Sequence, residues 1–439
     1  MKPKGLFIAA AVLLVLAGGI FFSNKQQAAK EKAPAANANP KIVSIPEDQF
    51  QEIRIQKTTG DTVDLKKENG KWTMTAPKAL PADSDSVTSL VSTLSNVSTD
   101  ATIEDKATDL TPYGLAKPAM QVQITPKSGK TVTLEIGDDT PTSSGAYAKL
   151  AADPHVYTIG SFVKSSIDKK PDDLRDKRLL TFDQDKLTRV ELAAKGQPVE
   201  FGKNNNNEWT ILKPKPLRAD GSSVDTLISK LKDAKMDLTT EPAEAAKKFA
   251  GATKVATATV TDAGGPQTLE VRKDKDNNYY AKSSVVEGVY KIPTDVGDGL
   301  NKTLDDFRNK KLFDFGFSDP TKLEVKGATY TKSGDKWTSG AKTMDNTAVQ
   351  NLIDKLRDLT ATKFAETGGG QPVFDATVTS NNGKRVEKVT ITKQGDKYFA
   401  QREGEPSIYE LDGKSVEDLQ KSASDVKEAA PPPAAPKKK

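Results

Sequence analysis

The chain contains no cysteine and a single histidine in 439 residues. It therefore holds no disulfide, no thiolate metal site and no lipid-modified cysteine anchor, and His155 cannot belong to a multi-histidine metal centre. Any folded part must be held by ordinary cores, although the missing cysteine does not by itself identify a compartment. Aromatic residues are scarce at 6%, few for an aromatic-lined sugar groove. A strong charge of one sign is also lacking: Lys and Arg number 65 against 60 Asp and Glu, a formal charge of +5. Lys437, Lys438 and Lys439 supply more than half of that excess, so the body is nearly neutral with its signs interspersed. Such a balance argues against a nucleic-acid binder built on a basic face.

One long apolar run is present. Gly5 to Phe22 is uncharged and as a helix covers about 27 Å, close to a hydrocarbon core. Residues 1–24 are expected to form an N-terminal transmembrane helix, with Lys2 and Lys4 on its inner flank and Lys25, Lys30 and Lys32 weakening the asymmetry. The alternative is a cleaved signal peptide, with Leu6 to Leu16 as its apolar region and Ala17-Gly18-Gly19 as its cleavage site. Either reading exports the remainder, and the first leaves it as a single-pass membrane protein with its bulk outside the cytoplasm. Residues 25–40, rich in Ala, Lys, Asn and Pro, read as a flexible linker. Residues 429–439, with Pro431-Pro432-Pro433, read as a disordered tail.

Between linker and tail a segment occurs three times. Trp72, Trp209 and Trp337, the only tryptophans, each follow a turn and precede an aspartate, Asp83, Asp220 or Asp345. Four residues after each aspartate an apolar stripe begins: Val87, Leu90, Val91, Leu94; Val224, Leu227, Ile228, Leu231; Val349, Leu352, Ile353, Leu356. Period-3.6 spacing after an aspartate predicts a helix capped by that carboxylate, its stripe lying on a sheet. Alternating runs such as Ile53-x-Ile55 and Val63-x-Leu65 predict strands before each tryptophan. Runs such as Gln121-Val122-Gln123-Ile124 with Leu134-Glu135-Ile136 predict hairpins after each helix. The repeated place of the tryptophans predicts core packing at the sheet–helix joint.

Basic segments close the first two copies, Leu174-Arg175-Asp176-Lys177-Arg178 and Phe307-Arg308-Asn309-Lys310-Lys311. The expected class is α+β: three tandem modules of mostly antiparallel twisted sheet with helices packed on one side, spanning 41–183, 184–316 and a shorter 317–428.

The series Gly70-x-Trp72, Ala82-Asp83, Tyr113-Gly114-Leu115, Ile136-Gly137, Tyr147-Ala148 and Leu174-Arg175-Asp176-Lys177 resembles the bacterial DUF4340 family, a domain of unknown function. The second and third copies lack the Tyr-Gly-Leu element. The resemblance implies a membrane-anchored envelope protein whose genes often neighbour those of ABC-type transport or gliding-related components. It implies no catalytic residue.

Familiar chemical motifs fail on inspection. Ser128-Gly129-Lys130-Thr131 ends like a phosphate loop, but Ile124 stands where that loop needs glycine and no helix follows. Asp274-x-Asp276-x-Asn278 begins like a calcium loop, but Tyr279 and Val285 occupy the glycine and glutamate positions. His155 follows Asp153-Pro154 in a turn without a strained serine or activated thiol, and Gly368-Gly369-Gly370 reads as a connection. No catalytic, cofactor-binding or metal-binding residue is assigned. The candidates for partner contact are Arg175, Arg178, Arg308 and Lys311, set against their plainer reading as linker residues that tie modules together. The expected function is a non-enzymatic envelope protein that binds or braces a partner protein, without cofactor or nucleic acid. The alternative is a protein that binds or processes cell-wall carbohydrate.

Overall fold

The computed structural model describes residues 39–60, 62–317 and 320–430, in two compact units whose boundary in sequence falls between Lys177 and Arg178. The expected transmembrane helix, the linker up to residue 38 and the tail from residue 431 lie outside the described residues.

The first unit is built on a nine-stranded antiparallel sheet. Phe50–Lys57, Val63–Glu68, Lys71–Ala76 and Leu80–Pro81 form a meander. Ile53, Ile55, Val63 and Leu65 are fully buried, as their alternation requires. A register shift between Phe50 and Glu52 lets Phe50 point inward as well. The chain next forms the helix Ser84–Ser95 and returns to lay Met120–Pro126 against Phe50–Lys57. Val132–Asp139, Gly145–Leu150 and Val156–Gly160 follow, and Ala101–Glu104, taken from the crossover, completes the edge.

That helix is poor in intrinsic propensity, since Ser and Thr occupy seven of its twelve positions. It forms because Val87, Leu90, Val91 and Leu94 are buried, at about 2 kcal/mol for each side chain taken from water. Its N-terminus is set by Asp83, whose carboxylate accepts the Ser86 N–H at 2.8 Å.

The second unit carries the same plan twice. An eight-stranded sheet runs from Arg189–Ala193 to Val289–Ile292, and a nine-stranded sheet from Lys322–Val325 to Ile408–Leu411. Their helices, Gly221–Lys232 and Asn346–Asp358, start at Asp220 and Asp345 and bury the expected stripes. The carboxylate of Asp220 accepts from Ser223, and that of Asp345 from Thr347 and Ala348. In every copy the chain that leaves the sheet returns to hold the cap. The N–H of Asp83 donates to Leu174, that of Asp220 to Phe307 and that of Asp345 to Lys427, at 2.8, 2.8 and 2.9 Å.

The expected α+β class is corrected by this architecture. The described chain is mostly antiparallel sheet with few helices. Among the described residues the longest helix has thirteen residues, and none is long and apolar enough to cross a membrane. Nor are the helices confined to one side. Pro242–Gly251 places Ala245 and Phe249 against Tyr280 and Val289 in a separate cluster. Tyr280 alternates along its strand with Tyr279 and Ala281, which belong to the main core, so this helix lies on the opposite face of its sheet. Short strands such as Ala101–Glu104, wholly exposed, lack the alternation by which a strand is recognised.

The eight-stranded sheet differs from its sisters at one edge. Ala101–Glu104 and Ala361–Ala365 supply a ninth strand to the other two. Here only Asp237 pairs with Lys291 before the chain turns away, its carboxylate accepting the N–H and hydroxyl of Thr239.

Candidate functional site

In the second unit, residues 307–315 connect its two sheets and are bonded by both. Arg308 bridges Ala219, and the Asn309 N–H donates to the carbonyl of Arg218. Two residues on, Lys311 bridges Thr360 and the Leu312 N–H donates to Leu359. Leu312, Phe313 and Phe315 then enter the core of the following sheet, while Phe307 packs edge-on against Phe201 in the preceding one. The connection is thus an extended segment shared through single bridges, its backbone bonds divided between its neighbours.

Around this segment lies a polar network. Arg218, from the first of these sheets, donates to the Asp314 carboxylate and to the carbonyl of Lys311 at 2.8 Å, and stands 3.5 Å from Glu405. Arg402 donates to Glu405 at 2.7 Å, to Glu387 at 3.1 Å and to the carbonyl of Leu312. Glu387 in turn accepts the N–H of Asp314. Tyr409 donates to Glu405 at 2.8 Å, and burial, with the Glu405 charge, pushes its pKa up to about 12. Burial opposes the charge of Arg218, but Asp314 and Glu405 outweigh it and hold its pKa above the ordinary value.

The four sequence candidates fall in different places. Arg308 and Lys311 come together in a groove of about 340 Å³ that also holds Asp220, Asp305 and Asp306. Arg308 is largely covered: it donates to Asp305 at 3.0 Å and Ser407 at 2.9 Å, and its guanidinium stacks on Phe364. Lys311 is exposed. In the first unit Arg175 pairs with Ala82 and lies 3.7 Å from Asp172. In the second, Arg178 is exposed and pairs with Lys235.

The rejected motifs are turns. Gly129 has φ 83° and donates to the carbonyl of Pro126 within its hairpin. The Asp274 carboxylate accepts the N–H groups of Asp276 and Asn278, both at 2.9 Å. His155 is half-exposed, its Nδ1 against Asp153, which also accepts from Tyr157 at 2.9 Å. Burial and Asp153 push Tyr157 up to about 12.

The tryptophans do not share one environment. Trp337 is 5% exposed, whereas Trp72 and Trp209 are only half-buried, each packed on its core along one side. A lysine stands opposite each in the hairpin, Lys67, Lys203 or Lys332. The ammonium groups of Lys67 and Lys203 lie 5.6 and 5.1 Å from the indole centroids of Trp72 and Trp209. Core packing therefore describes Trp337 fully and the other two in part.

Trp209 lines a polar cleft of about 500 Å³ between the hairpin tip Asn204–Asn207, the start of the helix Gly221–Lys232 and Arg385 of the following sheet. Arg385 donates to Glu208 and closes one wall. Sequence reasoning missed this cleft, because its walls come from segments far apart in the chain.

No curated protein and no solved structure matches the chain. The model of the domain of unknown function DUF4340 matches twice, over residues 72–216 and 209–380, each match starting at a half-buried tryptophan. These two copies cover most of the length in tandem, and the chain belongs to the DUF4340 family.

Proposed function

We propose that this protein is a non-enzymatic component of the bacterial envelope. Residues 1–24 would anchor it in the inner membrane, and its extracytoplasmic part would bind or brace a partner protein, as an accessory of an ABC-type transport or gliding-related complex. The observation that carries the reading is the shared segment at residues 307–315, bridged to one sheet at Arg308 and to the other at Lys311. A brace needs a fixed spacing between its contact surfaces, and a short connection bridged to both sheets, sealed by Arg218, Arg402 and Glu387, supports a fixed spacing of the two. The transport or gliding setting comes from the family resemblance.

Affinity capture of the full chain from native membranes after mild crosslinking tests the proposal. Recovery of one defined envelope protein, weakened by charge reversal at Lys311 or Arg178, supports it. Recovery of no envelope protein overturns it.

A further inference from the structure

We propose that the cleft around Trp209 binds a segment of uncharged oligosaccharide. Lys203, Arg218 and Arg385 stand among its walls against Glu208, Asp225 and Asp314. Arg385 is already paired with Glu208 at 2.7 Å and Arg218 with Asp314, so little net field remains to hold an ionic ligand. Recognition falls to hydrogen bonding, with amide, carboxylate and guanidinium groups set round one space. A neutral ligand dense in hydroxyl groups matches that lining, and a volume of about 500 Å³ lies in the usual range for small-ligand sites.

The indole supplies the apolar part. Its Nε1–H donates to Asp225 at 3.0 Å, which fixes the ring. The Lys203 ammonium lies over that ring, on an exposed and flexible side chain. The C–H face of a pyranose can take the place of Lys203, since an aromatic ring with a bonded polar edge suits a ligand that is itself half apolar.

The sister hairpins give independent support. They turn with Asn69-Gly70 and Ser333-Gly334, whereas the Trp209 hairpin spends Asn204, Asn205, Asn206 and Asn207 on its tip. Asn204 serves the turn, its side-chain oxygen accepting from Asn206 and Glu208. Asn207 lines the cleft. Asn207 also serves the turn through its φ of 63°, but glycine serves such a position equally, so its amide is what this tip adds to the lining for a hydroxyl-rich ligand.

Calorimetric titration of the purified full chain with tri-N-acetylchitotriose and cellotriose, and with trigalacturonate as the charged comparison, tests the assignment. An uncharged trisaccharide should bind, Trp209→Leu should weaken it about tenfold and Lys203→Ala, which uncovers the ring, should strengthen it about threefold. Should Trp209→Leu misfold, Lys203→Ala and Asn207→Gly, which keeps the positive φ, read the same site. The assignment is overturned if neither uncharged trisaccharide binds, if trigalacturonate binds better, or if these variants leave affinity unchanged. The titration does not involve a protein partner, so its failure leaves the bracing role standing.

Discussion

The Arg385 guanidinium donates to the Glu208 carboxylate at 2.7 Å across 177 residues of chain. Arg385 opens a strand of the last sheet and Glu208 lies at the hairpin of the sheet before it. Among the described residues the pair joins the shared segment 307–315 and the network around Arg218 in tying those sheets together. They differ in burial, and so in expected worth.

Arg218 is the tie that matters most for stability. Its side chain is 17% exposed, and its removal would take from Asp314 its close arginine, while Glu405 keeps Arg402 at 2.7 Å. Arg218→Met should cost about 3 kcal/mol. Arg385→Gln, at the more exposed pair, should cost below about 1 kcal/mol. Urea unfolding of both variants at one pH checks the order; equal costs would show that the network is not the stronger tie.

Tyr157 and Tyr409 should resist ionisation. Both are pushed up to about 12, by burial first and then by Asp153 or Glu405. A tyrosine with a raised folded-state pKa adds stability below its unfolded value of about 10, and that contribution is lost as pH rises through about 12. Ultraviolet difference titration should show a late-ionising class among the nine tyrosines, reduced in Tyr157→Phe and again in Tyr409→Phe.

Gly137 is where the Tyr113-Gly114-Leu115 element meets its sheet. A Cβ on Gly137 would lie 2.1 Å from the carbonyl oxygen of Tyr113, a backbone atom that cannot yield without moving the loop. The corresponding positions in the other copies, Arg272 and Thr392, carry side chains, and those copies lack the Tyr-Gly-Leu element. Gly137→Ala should destabilise the first unit by about 2 kcal/mol or more, while Gly129→Ala, with open space around it, should pay only for its positive φ. Thermal melts of the two variants separate these causes.

Asp220 ties helix stability to pH. Burial opposes its charge, yet hydrogen bonds from Ser222 and Ser223 outweigh that and hold its pKa below the ordinary value. With a depressed folded-state pKa, its contribution is present above the unfolded value of about 3.9 and lost as pH falls through the folded one. Asp220→Ala should cost about 1 kcal/mol at neutral pH. The gap to the parent in urea midpoints should narrow at pH 3, and a gap that stays constant would remove the carboxylate charge from the account.

Much of the local structure was legible in the residues. The stripes Val87 to Leu94, Val224 to Leu231 and Val349 to Leu356 are buried, and their three aspartates cap helices, because spacing and capping act within a turn or two of chain. The basic segments were legible as charge but not as structure: nothing in Phe307 to Lys311 says that its backbone is shared between two sheets. The class was misjudged because short edge strands carry no period, and because Ala245 and Phe249 announce an apolar helix face without naming the sheet face that receives it.

The sequence by itself determined the tandem repetition, the capped helices and the turns, since each depends on contacts between near neighbours along the chain. Only the tertiary structure decided that Trp337 is enclosed while Trp209 borders a cleft, and that Arg385 meets Glu208. Those outcomes depend on which strand edges pair and which faces close, and long-range pairing is set by the summed packing of whole sheets, which no single window of sequence contains.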